Sequence, residues 1–264
     1  MKIFLVIFML LNSIISNANE PNAKRLLLSS LRGGDYAHAG DKEAINLVLE
    51  QVLTINPKIK NGKVLDVGCG FGGTLEYLKL QGFKALSGID INGDSITYAK
   101  TKYKDINFTI LDALQADHLD DKFDLIIMFN SSYAIENKAK LFQALGKVAN
   151  LSAILVIFDY AIESDNKTLA IKDFAGKAMY PIDLKSLPQN LEDANWNLLK
   201  TEDLSKQFII WYEQFLDNLR EQQQNLETKF LKTDIEQVDN SFAYFLSELK
   251  AKKLSGVVIY ANKK

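Results

Sequence analysis

Two glycine-rich stretches and three isolated acids hold the residues best suited to chemistry. The first stretch, 68-GCGFGG-73, sets Gly68, Gly70 and Gly73 in a G-x-G-x-x-G spacing. Glycines there permit a tight turn and let a ligand approach the backbone, while a helix start offers unpaired N–H groups to an anion. By itself the pattern is shared by dinucleotide-binding enzymes and others. The second stretch, 33-GGDYAHAG-40, lies upstream and carries Tyr36 and His38, one of only two histidines. An imidazole titrates near neutrality, so His38, or a tyrosine beside it, is a candidate to receive or relay a proton. The acids are Asp66, Asp90 and Asp112, each at the end of an apolar run.

The acids discriminate between ligands for the glycine loop. Asp66 stands two residues before Gly68, where a negative charge opposes a pyrophosphate but suits a ligand carrying an ammonium and a sulfonium. Asp90, followed by Ile91, is placed to accept both ribose hydroxyls. Asp112, or the backbone of its neighbour Ala113, is placed to read an adenine amine. Any one of them alone could be a helix N-cap. Three at successive strand ends fit a cationic nucleoside lying across the carboxyl edge of a sheet. S-adenosylmethionine is the ligand expected on that ground, ahead of a nicotinamide dinucleotide, and no metal is expected.

The elements that must position these residues alternate regularly. Strands are expected at 63-KVLDVG-68, 84-KALSGID-90, 106-INFTILD-112, 123-FDLIIMFN-130 and 151-LSAILVIFDY-160. Helices are expected at 74-TLEYLKLQG-82, 93-GDSITYAKTKY-103 and 137-NKAKLFQALGKVA-149. Strands rich in Val, Ile and Leu, alternating with amphipathic helices, indicate a parallel sheet covered on both faces. Beyond Tyr160 the pattern changes. A helix broken near Pro188 spans 183–196, a strand 197–205, a long helical stretch 206–253 and a last strand 255-SGVVIYANK-263. In the helical stretch Phe208, Trp211, Tyr212, Phe215 and Leu219 recur at helical spacing, which places them in the core.

The runs 64-VLDVGCGFGG-73, 88-GID-90 and 110-ILDA-113 resemble the successive motifs of class I S-adenosylmethionine-dependent methyltransferases. The resemblance covers residues 45–160. It implies a doubly wound α/β fold, Rossmann-like, with a seven-stranded, mostly parallel sheet whose last strand is antiparallel. The helical insertion falls before that strand. One domain over 19–264 follows, with its core at 45–160 and lid and insertion at 161–253. The resemblance assigns Asp66, Gly68, Gly70, Asp90, Ile91, Asp112, Ala113 and Asn130 to the cofactor. One departure, 149-ANLSAILVI-157 where the family often has Lys-Pro-Gly-Gly, affects only a turn.

Two looser resemblances bear on the methyl acceptor. The stretch 33-GGDYAHAG-40 resembles the Gly-Gly-Glu-Asp-x-His-x-Gly segment of glycine, sarcosine and dimethylglycine N-methyltransferases, which implies a lid over the cofactor. The second half, with 159-DY-160, Tyr180 in 177-KAMYP-181 and 203-DLSKQFIIWYEQFL-216, is similar to the phosphoethanolamine N-methyltransferases. Together they imply a small-molecule amine acceptor, with Tyr36, Tyr160 and Tyr180 around a methylated ammonium through cation–π contact. Those families often carry an Asp and then a His after the fourth strand, whereas 128-MFNSSYAIEN-137 has Asn130 and no histidine. Either His38 takes the base role, or the acceptor needs no base, or transfer is slow. A methyltransferase-like binding protein without catalysis and a nicotinamide-dependent oxidoreductase are the competing readings. His118, in 115-QADHLDD-121, reads as a surface residue.

Composition sets the outer limits. The 264 residues are 47% hydrophobic and 24% charged, with a formal net charge of −2 and scattered lysines. That balance gives no reason to expect a nucleic-acid partner. Lys2, the apolar run 3-IFLVIFMLL-11 and small residues at Ser16 and Ala18 read as an export signal cleaved after Ala18. The run is shorter than the ~20 residues of a membrane span. No membrane partner is expected beyond it; an exported location is the expectation, with an uncleaved anchor or a cytoplasmic location as the alternatives. Cys69 is the only cysteine, so export brings no intramolecular disulfide.

Overall fold

The computed structural model describes residues 23–163 and 171–264, so the expected export signal at 1–18 lies outside the described residues. Helices α1 (Ala23–Arg32) and α2 (Asp41–Ile55) precede the first strand, with 33–40 as the turn between them. Then follow β1 (Lys63–Val67), α3 (Gly73–Leu80), β2 (Ala85–Asp90), α4 (Gly93–Lys102), β3 (Asn107–Ile110), β4 (Phe123–Phe129), α5 (Lys138–Lys147) and β5 (Ala149–Ile162). The second half adds β6 (Ile182–Asp183), α6 (Leu187–Asp193), β7 (Trp196–Asp203), α7 (Ser205–Glu221), α8 (Gln223–Leu226), α9 (Lys232–Lys250) and β8 (Ser255–Lys263).

The sheet runs β3-β2-β1-β4-β5-β8-β7, seven strands in one path, and the two-residue β6 pairs with β5 beside it. Strands β1 to β5 are parallel, while β8 is antiparallel to both β5 and β7. The chain therefore reverses its direction of travel between β1 and β4, which opens a crevice at their carboxyl ends.

Burial on both faces explains the near-continuous apolar strands. Leu125, Ile127 and Phe129 of β4, with Ile154, Val156 and Phe158 of β5, join the core beneath α1, α2, α3, α7 and α9. Their alternates Ile126, Met128, Leu155 and Ile157 join Leu141, Phe142 and Leu145 of α5 in the core on the opposite face.

Two expectations for the second half need adjustment. Pro188 does not interrupt a helix; it sits in the first turn of α6, where its missing N–H has no partner to lose. The stretch 206–253 is two long helices joined by the single turn of α8 and a short loop. The helices α1 and α2 are legible only in retrospect. Ala44, Ile45, Val48, Leu49 and Val52 are buried at helical spacing on α2, and Leu27, Leu28 and Leu31 on α1.

Candidate active site

The crevice holds a cavity of about 860 Å³. Its wall includes all eight residues expected to meet the cofactor: Asp66, Gly68, Gly70, Asp90, Ile91, Asp112, Ala113 and Asn130. The loop after β1 is held open by its glycines. Gly68 and Gly70 have φ of 79° and 53°, in the left-handed region that side chains disfavour. The loop is pinned to β2, because Asp90 accepts from the Gly70 N–H at 2.9 Å and from the Asn92 N–H at 2.8 Å. Asp112 caps the next turn by accepting from the Leu114 N–H. It is an N-cap and a cavity wall at once, so the backbone at Ala113 is the freer group to read a base.

Asp66 is the electrostatic centre of the wall. Burial, with the nearby charge of Asp90, pushes its carboxyl up to about 8. A cationic ligand beside it would favour the ionised form, and a pyrophosphate would do the reverse. The set of buried acids, open glycine loop and backbone edge therefore fits S-adenosylmethionine. Cys69 within the loop is buried, and its thiol is pushed up by that burial, which leaves it without nucleophilic character.

The turn 33–40 closes over this loop. The backbone carbonyl of Asp35 stands 2.5 Å from where a Cβ on Gly73 would be, so only glycine allows that approach. The carboxylate of Asp35 accepts from Ser29 Oγ at 2.5 Å, Tyr103 Oη at 2.6 Å and Tyr98 Oη at 3.2 Å, and pairs with Lys102 at 2.7 Å. The partners Lys102, Ser29 and Tyr103 outweigh desolvation and hold its carboxyl below the usual carboxylate value. At the other end of the turn, the space a Cβ on Gly40 would need is filled by the Trp211 ring. Trp211 in turn donates to Glu43 at 2.9 Å.

His38 lies on the cavity wall, buried against Phe129 with ring centroids 4.8 Å apart. Its Nδ1 is 3.0 Å from the Ala39 carbonyl, which only accepts, so Nδ1 carries the proton and Nε2 the lone pair. Thr74 Oγ1 stands 3.3 Å from Nε2. Desolvation lowers the imidazole to about 4, so it is neutral at physiological pH.

The expected ring of three tyrosines is not assembled at the cavity. Tyr36 is buried behind His38, with its ring edge-on at 5.7 Å. Tyr160 is buried in the core, its hydroxyl joined to that of Tyr212. Tyr180 faces a neighbouring hollow, where its carbonyl accepts from Lys138 at 2.6 Å. Tyr160 is claimed by the core because it stands on the core-facing side of β5, and Tyr36 because the turn 33–40 folds it inward beside His38. The tyrosine that does line the cavity is Tyr133, in the turn after β4, edge-on to Tyr160 at 5.7 Å. Arg25 of α1 also lines it, with its guanidinium over Gly70. Neither residue belongs to a motif, and no local signal marks them. His118 is exposed at the end of the turn 113–118, as its surroundings suggest. Among the described residues, no group of three His, Cys, Asp or Glu side chains is arranged to hold a metal ion, and no helix is long and apolar enough to cross a membrane.

Fold and cavity together have the form of the class I S-adenosylmethionine-dependent methyltransferases. A family model described as a methyltransferase domain matches residues 58–197, more than half of the sequence, and the chain belongs to that family. Phosphoethanolamine N-methyltransferase 1 of Arabidopsis thaliana is 24% identical over 255 residues, covering 94% of this chain and 51% of the relative. The chain thus spans about half the length of the curated relatives it matches. Phosphoethanolamine N-methyltransferase 2 of Haemonchus contortus, solved with S-adenosyl-L-methionine, superposes with a TM-score of 0.75 at 14% identity, over 96% of this chain and 60% of that one. A Galdieria sulphuraria protein described as a sarcosine dimethylglycine methyltransferase gives 0.70 at 14% identity, over 84% and 85%. At these identities the two structures speak to the fold.

Proposed function

We propose that this chain moves the methyl group of S-adenosylmethionine to the nitrogen of a small amine of the glycine, sarcosine or phosphoethanolamine type. The observation that carries the proposal is the continuity of one cavity from the strand-end acids to His38, Tyr133 and Arg25. Its volume of about 860 Å³ lies near the top of the range for small-molecule sites, room enough for a nucleoside cofactor and a small partner. The lid formed by 33–40 excludes water from the donor side, and two reactants held in line gain up to ~7–11 kcal/mol from positioning alone. Methyl transfer asks for little else, provided the acceptor nitrogen presents a lone pair.

His38 serves that need. Its neutral Nε2 accepts a hydrogen bond from the neutral amine and turns the nitrogen lone pair toward the methyl group; the lone pair forms the N–C bond as the S–C bond breaks, and the proton of the methylated ammonium leaves to water. Arg25, with Lys177 at the cavity mouth, supplies positive charge for a carboxylate or phosphate on the acceptor. The phosphoethanolamine N-methyltransferase relatives support an acceptor that joins an amine to an anion.

The test is a methyl-transfer screen of the purified protein against glycine, sarcosine, dimethylglycine, phosphoethanolamine and matched hydroxyl acceptors. Turnover of an amine is expected, and His38→Ala is expected to lower it by tenfold or more with cofactor affinity little changed. Turnover of hydroxyl acceptors alone would refute N-methylation. Full activity in His38→Ala would remove the histidine from the mechanism. Cofactor binding without turnover of any acceptor would favour a binding protein.

A further inference from the structure

We propose that Asn130 and Asp159 are positioning residues, whose linked side chains set His38 at the cavity by holding the peptide of Ala39. The inference rests on the reading of His38 given above, and it starts from the connectivity at the end of β4. Asn130 Oδ1 accepts from the Ala39 N–H at 2.9 Å. Its Nδ2 faces Asp159 Oδ1 at 3.4 Å. The Ala39 N–H is a donor and the Asp159 carboxylate an acceptor, so only one orientation of the amide satisfies both. Ala39 then presents its carbonyl to His38 Nδ1 at 3.0 Å. The line runs Asp159, Asn130, Ala39, His38, and it ends by fixing which imidazole nitrogen carries the lone pair.

Asp159 is itself anchored. Its Oδ2 accepts from Ser132 Oγ at 2.6 Å and the Tyr133 N–H at 3.0 Å, and its Oδ1 from the Tyr160 N–H at 2.8 Å. Tyr133 is on the cavity wall, so the same carboxylate holds both the histidine side and the tyrosine side of the site. The backbone of Asn130 suits its residue type. Its φ is 43°, a left-handed value that Asn tolerates better than most, and its N–H donates to the Phe158 carbonyl at 2.8 Å.

This geometry gives a physical reason for an amide at position 130. A carboxylate there would accept from Ala39 equally well, but it would lose the donor toward Asp159 and face a second buried carboxylate at the same distance. Two like charges at that separation cannot both ionise in a buried site. One must take up a proton. Asn130 is thus committed to protein partners at both ends of its amide, which assigns it to the lid and leaves the cofactor to the backbone and acids around it.

The experiment compares Asn130→Asp and Asn130→Gly with the wild-type protein. Readouts are amide hydrogen exchange of the 36–40 segment, cofactor affinity by calorimetry, and kcat and KM for an accepted amine. Asn130→Gly keeps the left-handed backbone and removes the acceptor without adding charge. Its Ala39 exchange should rise at least tenfold, and for an accepted amine its kcat should fall at least tenfold, with cofactor affinity and KM within threefold. Asn130→Asp keeps the acceptor for the Ala39 N–H, and a proton shared with Asp159 replaces the amide donor, so its exchange and kcat should stay closer to wild type than those of Asn130→Gly. A merely structural role would lower stability without this kcat-against-KM split or the recovery in Asn130→Asp. Unchanged exchange of Ala39 in Asn130→Gly, or a folded Asn130→Asp as impaired as Asn130→Gly, would overturn the proposal. If the wild-type protein methylates no amine, the functional reading fails. Exchange still decides the link to Ala39 in that case, and loss of the link ends the proposal with it.

Discussion

Cofactor affinity should depend steeply on pH because of Asp66, and the size of the effect follows from its surroundings. The carboxyl is pushed up to about 8 by burial and by the charge of Asp90. At pH 7 roughly one tenth of the ligand-free protein then has Asp66 ionised, and at pH 6 roughly one hundredth. A cationic ligand that requires the ionised form sees an affinity reduced by that fraction. Binding should therefore tighten by nearly tenfold per pH unit below pH 7, and by roughly 75-fold between pH 5.5 and 7.5. That window stays below the usual α-amino range of about 7.7–8.0, so titration of the ligand's own amine intrudes little. Titration calorimetry of S-adenosylmethionine in two buffers of different ionisation enthalpy should show close to one proton released per ligand at pH 6.5. Asp66→Asn should bind weakly and with a flat pH profile. The sign for stability is the opposite. An acid whose folded pKa exceeds its unfolded value makes the ligand-free protein less stable as pH rises from about 4 to 8. Asp66→Asn should thus raise Tm at pH 8 and change it little at pH 4. A pH-independent wild-type affinity, or the same slope in Asp66→Asn, would refute the reasoning.

Gly73→Ala places a methyl group 2.5 Å from the Asp35 carbonyl, although Ala is the better helix former by about 1 kcal/mol. If the turn is seated as described, the variant loses cofactor affinity and its 33–37 segment exchanges faster; a more stable, fully active variant would contradict that seating. Lys138 donates to the carbonyls of Ser132, Ile135 and Tyr180, tying the segment before β6 to the turn after β4. Lys138→Met should cost about 1–2 kcal/mol in urea unfolding, since the part-buried carbonyls of Ser132 and Ile135 lose their donor, and exchange should quicken at 178–182. For the amino terminus, residues 1–30 fused to an export-dependent reporter should give reporter activity, and none would mean the segment does not direct export.

Much of the cofactor half was legible in the sequence because its signals are local. Apolar runs of strand length, glycines at fixed offsets and an acid at each strand end all act within a few residues of one another. The parallel sheet and the order of its elements followed from them, and the eight expected positions line one crevice, with the amide of Asn130 turned to the lid. The acceptor side was far less legible, because its parts are separated in the chain and meet only through packing. Tyr36, Tyr160 and Tyr180 looked equivalent by type, yet two are in the core and one faces a different hollow. The strand face decided the fate of Tyr160, and the path of a connecting segment that of Tyr36 and Tyr180. Arg25 and Tyr133 carry no motif and entered the cavity because α1 and the turn after β4 border it.

Asn130 shows the division most clearly. The sequence by itself determined that an amide stands where related enzymes often carry an acid. It also determined that His38 was the candidate base left to the chain. Only the tertiary structure decided what that amide does, because its two partners, Ala39 and Asp159, lie 91 and 29 residues away. A hydrogen bond is satisfied in space, so no reading along the chain reveals that one residue is holding another in place.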